Sequence, residues 1–181
     1  MATLADARDR LQPALLDRLV DDAPTAHVEA DDRRVMSKAS LRQAVIRDLG
    51  WLFNAVQPMH KAEAAIHPHA ARSVLNYGLP PLSGEVASKV DVAQLERAIG
   101  SAILLFEPRV VAESLEVRAI EADDVLGTHN VIEFEIRGLL WAQPVPIELL
   151  LRTRLDLEAS QVQVRDLGAG GTGSWTAAGG G

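Results

Sequence analysis

The sequence predicts an α+β fold, in which N-terminal helices pack on a small four-stranded, largely antiparallel sheet. Two observations predict it. Apolar residues recur at the helical spacing of three and four residues as far as Phe106, and from Leu115 onward they alternate with polar residues, as in strands. Consecutive strands with short connections favour antiparallel neighbours. We therefore expect the helices to cover one face of the sheet.

The first helix is expected near the N-terminus. Pro13 lies where an early helical turn tolerates proline. Residues 21–38, which follow this helix, are polar and rich in Asp and Arg, and this composition is typical of a solvated loop. The apolar residues at helical spacing in the first helix are Leu11, Leu15, Leu16, Leu19 and Val20.

Two further helices carry capping signatures at their N-termini. Ser40 followed by Gln43 is a capping-box pattern and predicts that the second helix begins at Ser40. Asp91 followed by Gln94 predicts the start of the third helix in the same way. That helix should end near Phe106, because the proline that follows disfavours helical geometry in the residue before it.

Four strands are expected in the C-terminal half, each with one apolar face for a core. The segment 168–181 is rich in glycine and typical of a flexible tail, so residues 1–167 are expected to form a single domain. Nothing in the sequence assigns a role to Trp175. The alternating apolar sets are Leu115, Val117 and Ala119; Ile132, Phe134 and Ile136; Val145 to Leu155; and Val162 and Val164.

Composition argues against several classes of function. The net charge is −7 and no run of Lys or Arg offsets it locally, which disfavours nucleic-acid binding. The chain has no cysteine, so disulfides, thiol catalysis and Cys-type zinc sites are excluded. The first nine residues include Asp6, Arg8 and Asp9, and no apolar run approaches the ~20 residues of a membrane span. We therefore expect a cytoplasmic protein without membrane insertion.

The first of three candidate functional segments is the stretch 74–84. It contains two glycines and two prolines, which forbid a continuous helix and demand turns. The pattern by itself is typical of a rigid connector between helices.

The second candidate segment is Glu107-Pro108-Arg109, between the third helix and the first strand. A negative charge at a helix C-terminus is slightly unfavourable, whereas the planar fork of Arg109 suits carboxylates and carbonyls. The proline between them fixes their relative direction. These residues alone leave two interpretations open, a local cap with a local ion pair and a docking site.

The third candidate segment carries His60, His67 and His69, with Glu63 nearby. Metal sites need tightly fixed ligand geometry, and this stretch has no strong helical or strand framework to supply it. We interpret these histidines as solvent-exposed and predict neither a metal site nor a cofactor.

Two motifs in register resemble the TssE family, baseplate subunits of bacterial type VI secretion systems. The first is the run 74–80, Val-Leu-Asn-Tyr-Gly-Leu-Pro, followed by Leu-Ser-Gly at 82–84; the second is Phe-Glu-Pro-Arg at 106–109. The segments 15–19 and 40–54 are similar to the family's first two helices, and the resemblance spans residues 11–165. That family is related to a phage-tail baseplate wedge protein whose domain carries the label "lysozyme-like".

The resemblance implies a non-enzymatic structural subunit. It would join the baseplate wedge with the TssF and TssG components and start the contractile sheath of TssB and TssC. A free strand edge, in the strand 145–157 or the strand 161–165, would accept a strand from a sheath subunit. The turn at Arg109 would be a rigid plug for wedge partners, and Arg109→Ala would leave folding nearly unchanged. The implied partner-binding residues are Glu107, Pro108 and Arg109, with Asn76, Tyr77 and Gly78 supporting the loop.

The alternative function is a peptidoglycan-cleaving, lysozyme-like hydrolase. Such an enzyme needs two carboxylates on either side of a sugar bond, and Glu107 would pair with Glu133 or Glu135 in that role. Glu133 and Glu135 alternate with apolar residues, as outward-facing charges on a strand do. No short motif for sugar hydrolysis appears, so we expect no enzymatic activity.

Overall fold

Helices form one layer of the structure and an antiparallel sheet forms the other. The computed structural model describes residues 14–19, 37–81, 91–120, 131–168 and 176–177. The helices are α1 (Leu15–Leu19), α2 (Lys38–Asn54), α3 (Lys61–Ile66), α4 (Pro68–Ala71) and α5 (Val92–Phe106), with short 3₁₀ turns at Val74–Asn76 and Ala112–Ser114. The strands are β1 (Glu116–Ile120), β2 (Val131–Leu140), β3 (Ile147–Asp156), β4 (Gln161–Asp166) and β5 (Thr176–Ala177).

The sheet confirms the predicted α+β class. Its order is β1-β2-β3-β4-β5, and every neighbouring pair is antiparallel. The four predicted strands are all present. The two-residue strand β5 is an addition, and it pairs with β4 from within the glycine-rich segment. Residues 169–175 and 178–181 of that segment lie outside the described residues, so its flexibility stays a prediction.

One face of the sheet packs against α2 and α5 to form the core. Strand β2 alternates between buried and outward-facing side chains, as its sequence period predicts. Burial of one large aliphatic or aromatic side chain contributes about 1.5–3 kcal/mol, so the core supplies most of the stabilising free energy. The largest fully buried side chains include Leu49, Leu52, Ile103, Phe134, Ile136, Leu140, Leu149 and Leu151.

The helix starts differ in how well the sequence predicted them. Helix α5 begins as predicted, because the Asp91 side chain accepts a hydrogen bond from the Gln94 N–H at 3.0 Å. The predicted start of α2 at Ser40 is wrong. The N-cap is Ser37, whose Oγ accepts from the Ser40 N–H at 3.0 Å, so Ser40 lies inside the first turn. Two serines three residues apart satisfy the cap one turn earlier than a Ser40–Gln43 box would.

Helix α2 is joined to the outer edge of strand β4 by one amide side chain. Asn54 Nδ2 donates to the Val162 carbonyl at 2.8 Å, and Asn54 Oδ1 accepts from the Val162 N–H at 2.9 Å. Both backbone groups of Val162 on that edge are therefore satisfied by a side chain. Buried or half-buried backbone groups need such partners, because an unpaired one costs free energy.

A salt bridge makes a second connection between α2 and β4. The Arg42 guanidinium donates to both carboxylate oxygens of Asp166, at 2.5 Å each, and to the Glu148 carbonyl. Burial alone would raise the pKa of Asp166. The hydrogen bonds from Arg42 and from the Gly168 N–H outweigh burial and hold the pKa of Asp166 below its ordinary value.

The sheet topology corrects the expected site of strand addition. Strand β3, one of the two candidates, is paired on both sides, with β2 and with β4, and has no free edge. Strand β4 pairs with β5 at Val164, and Asn54 closes its edge at Val162. The amphipathic period of the sequence showed which face of each strand is buried, but it carries no information on strand order.

We expect Asn54→Ala to lower the free energy of unfolding by about 1–3 kcal/mol, because both backbone groups of Val162 lose their partner. Urea denaturation followed by circular dichroism measures the change. The matched control is Gln163→Ala, on the opposite face of β4, which should change stability by less than about 0.5 kcal/mol. Equal stability of the two variants would contradict the bridging role of Asn54.

Asp166 predicts a dependence of stability on pH. Its pKa in the folded state lies below the ordinary value of 3.8, so the unfolded chain binds the proton more tightly. The ionised Asp166 contributes its full stabilisation above the ordinary pKa. This stabilisation is lost as the pH falls through the pKa of Asp166 in the folded state. Asp166→Asn should therefore weaken the loss of stability on acidification. Urea midpoints of both proteins, measured from neutral pH down to about pH 2, test this. The same fall in midpoint with acidification in Asp166→Asn and in the wild-type protein would refute it.

Candidate functional site

The turn at Glu107-Pro108-Arg109 is fixed at both ends. Glu107 caps the C-terminus of α5, with its N–H donating to the Ile103 carbonyl at 2.8 Å. On the other side, the Arg109 carbonyl accepts from the Trp141 N–H at 2.8 Å, which joins the turn to the end of β2. Pro108 is the exposed corner between them. The helix and the sheet together therefore set the direction of this turn.

A buried carboxylate pairs with a guanidinium inside the turn. Glu107 has only 3% of its side chain exposed, and both its oxygens accept from Arg109: Oε1 from Nε at 2.6 Å and Oε2 from Nη2 at 2.5 Å. Burial alone would lower the pKa of Arg109, but its hydrogen bonds and the charges of Glu107 and Asp48 raise it overall. The pair is a bidentate charge-assisted interaction, the strong kind.

The pair belongs to a longer chain of alternating charges, which we call the charge network. Arg109 Nη2 also donates to Asp48 Oδ2 at 2.5 Å, and Asp48 Oδ1 accepts from Arg47 Nε at 2.9 Å. Arg47 Nη1 in turn donates to Asp17 Oδ1 at 2.6 Å. The network thereby connects α1, α2 and the turn. Its members are Asp17, Arg47, Asp48, Arg109 and Glu107.

Tyr77 connects the predicted loop to this network. Its ring packs edge-on against Phe106, with the ring centroids 5.1 Å apart. Its hydroxyl lies 3.5 Å from the Asp48 carbonyl. Burial raises the pKa of Tyr77, and the charges of Asp48 and Glu107 raise it further. The two motifs, far apart in the sequence, therefore meet at one place.

Asn76 and Gly78 hold the loop that carries Tyr77. Asn76 is buried; its Nδ2 donates to the Ala71 carbonyl at 3.1 Å and its Oδ1 accepts from the Met59 N–H at 3.2 Å. Gly78 has φ +123°, and a Cβ there would lie 2.3 Å from the Ala55 carbonyl oxygen. Only glycine fits this approach. Both residues thus support the loop, and partner binding by them stays a prediction.

The candidate metal ligands do not converge in the described residues. His60, His67 and His69 are exposed. Among the residues that the structure describes, no group of three or more His, Asp or Glu side chains could hold a metal ion. Within the same residues, no helix is long and apolar enough to cross a membrane.

The two carboxylates of the catalytic alternative lie apart from Glu107. Glu133 and Glu135 lie on the face of β2 opposite the buried Phe134, and so face away from the core and its helices. Glu107 ends α5 on the helical side of the sheet. The sheet therefore separates the acids that would have to flank one sugar bond.

Four residues around the turn were missed by sequence reasoning: Asp17, Arg47, Asp48 and Trp141. Asp48 is the acceptor that links Arg109 to α2, and Trp141, with 57% of its side chain exposed, follows β2 beside the turn. The adjacent Arg47 and Asp48 on an amphipathic helix were a usable signal, because charges there need partners. No sequence signal pointed to Trp141, because its position beside Arg109 depends on strand register.

The expectation that Arg109→Ala leaves folding nearly unchanged is revised by the burial of Glu107. Removing the guanidinium strands a buried carboxylate, and such losses cost about 3–5 kcal/mol. We expect a clear fall in melting temperature and urea midpoint. Arg118→Ala, which removes an exposed ion pair with Glu116, is the control and should cost less than about 1 kcal/mol. An Arg109→Ala protein as stable as that control would show that the pair is dispensable for folding.

Comparison with known proteins identifies the family. The family model described as "Baseplate wedge protein gp25" matches residues 39–145, which is more than half of the chain. The matched range contains α2 from its second residue onward, the loop of Tyr77 and the turn of Arg109, and so includes all of the charge network except Asp17. No curated protein and no solved structure matches the chain. The chain belongs to the family of the baseplate wedge protein gp25.

Proposed function

We propose that this protein is a structural subunit of a contractile injection machine, the TssE subunit of a type VI secretion baseplate, and not an enzyme. Membership of the baseplate wedge family supports the baseplate role. The resemblance of the two motifs to TssE supports the more specific assignment. The proposed location is the cytoplasm, where such a baseplate would be assembled.

The observation that carries the proposal is the rigid turn at Arg109. Its charged atoms are fixed by Glu107 and Asp48, while Pro108 stays exposed at the corner. A binding element that is already ordered loses little conformational entropy when a partner docks. A flexible surface ion pair would not have this property. The turn is therefore suited to act as a preformed docking element.

The exposed surface beside the turn suits a protein partner. Trp141 and Leu104 are large apolar residues with about half of their side chains exposed, at 57% and 49%. Arg109 itself keeps 23% of its side chain exposed. Tryptophan and arginine are the residues most enriched at interface hot spots. The proposed occupants are the TssF- and TssG-like wedge components.

The proposed contact with the TssB/TssC sheath lies at the β4–β5 end of the sheet. At the opposite end, the N–H of Ala119 in β1 donates to Glu96 Oε1 from α5 at 2.6 Å, so that edge is partly closed. Among the described residues, β5 pairs with β4 at residues 163 and 164. A strand from a sheath subunit would thus extend the sheet on the β5 side.

The hydrolase alternative has less support in the geometry. A catalytic Glu107 would need an oxygen that faces a substrate, and both of its oxygens accept from Arg109 instead. Glu133 and Glu135, either of which would be the second carboxylate, lie on the far face of the sheet. The same carboxylate that the hydrolase would use for proton transfer is therefore occupied in holding the turn.

We expect Pro108→Glu to leave the fold intact and to weaken wedge binding by about 2 kcal/mol or more, the range of an interface hot spot. Pro108 is exposed, so its replacement spares the buried pair while adding bulk and charge to the docking surface. Co-expression with TssF- and TssG-like partners, followed by size-exclusion chromatography, measures complex formation. The matched control is Pro58→Glu, at an exposed proline in another loop.

The proposal fails if Pro108→Glu and Pro58→Glu bind the partners equally well, or if the wild-type protein joins neither partner at low and moderate salt. The hydrolase alternative is tested on the same preparations. Cleavage of peptidoglycan by the wild-type protein, lost in Glu107→Gln, would establish an enzyme in place of a structural subunit.

A further inference from the structure

The face of the sheet that points away from the helices carries a cluster of arginines. Arg152 and Arg154 are on β3 and Arg165 is on β4, and all three alternate with residues that point into the core. We call these three residues the arginine cluster. The linear sequence showed no basic run, because the fold brings together residues from two strands. The cluster lies outside the charge network and on other elements.

The strand register sets two of these arginines directly opposite each other. Arg152 of β3 is the cross-strand partner of Arg165 of β4. Side chains in such positions have Cβ atoms about 4.5–5.5 Å apart, and like charges there are destabilising. The unbound protein thus carries an electrostatic cost at this position.

The nearby carboxylates relieve this cost only in part. Glu135 is opposite Arg152 in the register, but it accepts from Arg137 Nε at 2.6 Å. Asp156, on the same face of β3, uses its Oδ1 to accept from the N–H groups of residues 158 and 159. The Nε atoms of Arg152 and Arg165 are buried and have no hydrogen-bond acceptor among the described residues.

We propose that the arginine cluster binds an acidic segment of a partner protein in extended conformation. A guanidinium fork accommodates a carboxylate through two parallel hydrogen bonds, so one carboxylate between Arg152 and Arg165 would relieve their repulsion. Arg152 and Arg154 are two residues apart on one face of a strand, about 6.6–6.8 Å along its axis. Alternate residues of an extended chain have the same spacing. The segment is thus expected to carry Asp or Glu at every second position.

An acidic polypeptide fits this surface better than a nucleic acid does. The chain has a net charge of −7, and the cluster is flanked by Glu133 and Glu135 on β2. A phosphate backbone would have to pass these carboxylates, whereas a short peptide segment engages only the arginines. The inference does not depend on the proposed baseplate role, because it rests only on this face of the sheet.

The test uses the whole protein and a short peptide with Glu at alternate positions; the same peptide with Gln is the negative probe. Nuclear magnetic resonance of the arginine Nε–H groups follows the titration at low salt. We expect the resonances of Arg152 and Arg165 to move and that of Arg118 to stay. Arg152→Gln with Arg165→Gln should weaken binding about tenfold, equivalent to about 1.4 kcal/mol.

The control variant is Arg118→Gln, which removes an arginine of the same face that already pairs with Glu116. Retention of binding in this control, with loss in the cluster variant, supports the proposal. Equal loss in both variants, or no loss in either, overturns it. Binding of a thymidine oligonucleotide as tightly as the Glu peptide also overturns it, because the surface would then attract any polyanion.

Discussion

The buried carboxylate of Glu107 is the constraint on which the candidate site depends. A charge with 3% exposure is tolerated only if a partner of opposite charge is held against it. Arg109 supplies that partner, and Asp48 fixes Arg109 from α2. The direction of the turn is therefore determined by helix packing and not by the turn alone. Any rearrangement of α2 against α5 would therefore change the direction of the turn.

Helix α2 is the common element of the structure. Its buried face supplies Leu49 and Leu52 to the core, and Asp48 on the same helix holds the turn. Through Asn54 and Arg42 it also holds strand β4. The turn and the sheet edge are thus both anchored to the same helix. The turn at Arg109 and the edge of β4 therefore keep a fixed relative orientation.

The sequence predicted the fold class and the strands because the spacing of apolar residues along the chain follows directly from which side chains are buried. It also located Arg109 and Tyr77, through a resemblance and not through chemistry. It did not predict that Asp48 joins them, because that contact spans 61 positions of the chain. Nor did it show that β3 is internal or that Arg152 faces Arg165. Strand order and register follow from tertiary pairing, which the period of two leaves undetermined.

The amide of Asn54 acts toward Val162 as one residue of a neighbouring strand would, giving one donor and one acceptor in the same plane. Open strand edges invite pairing with further copies of the same chain, which leads to aggregation. A side chain from the protein's own helix blocks this at Val162 without lengthening the sheet. A further strand therefore cannot pair with the backbone groups of Val162 while Asn54 occupies them.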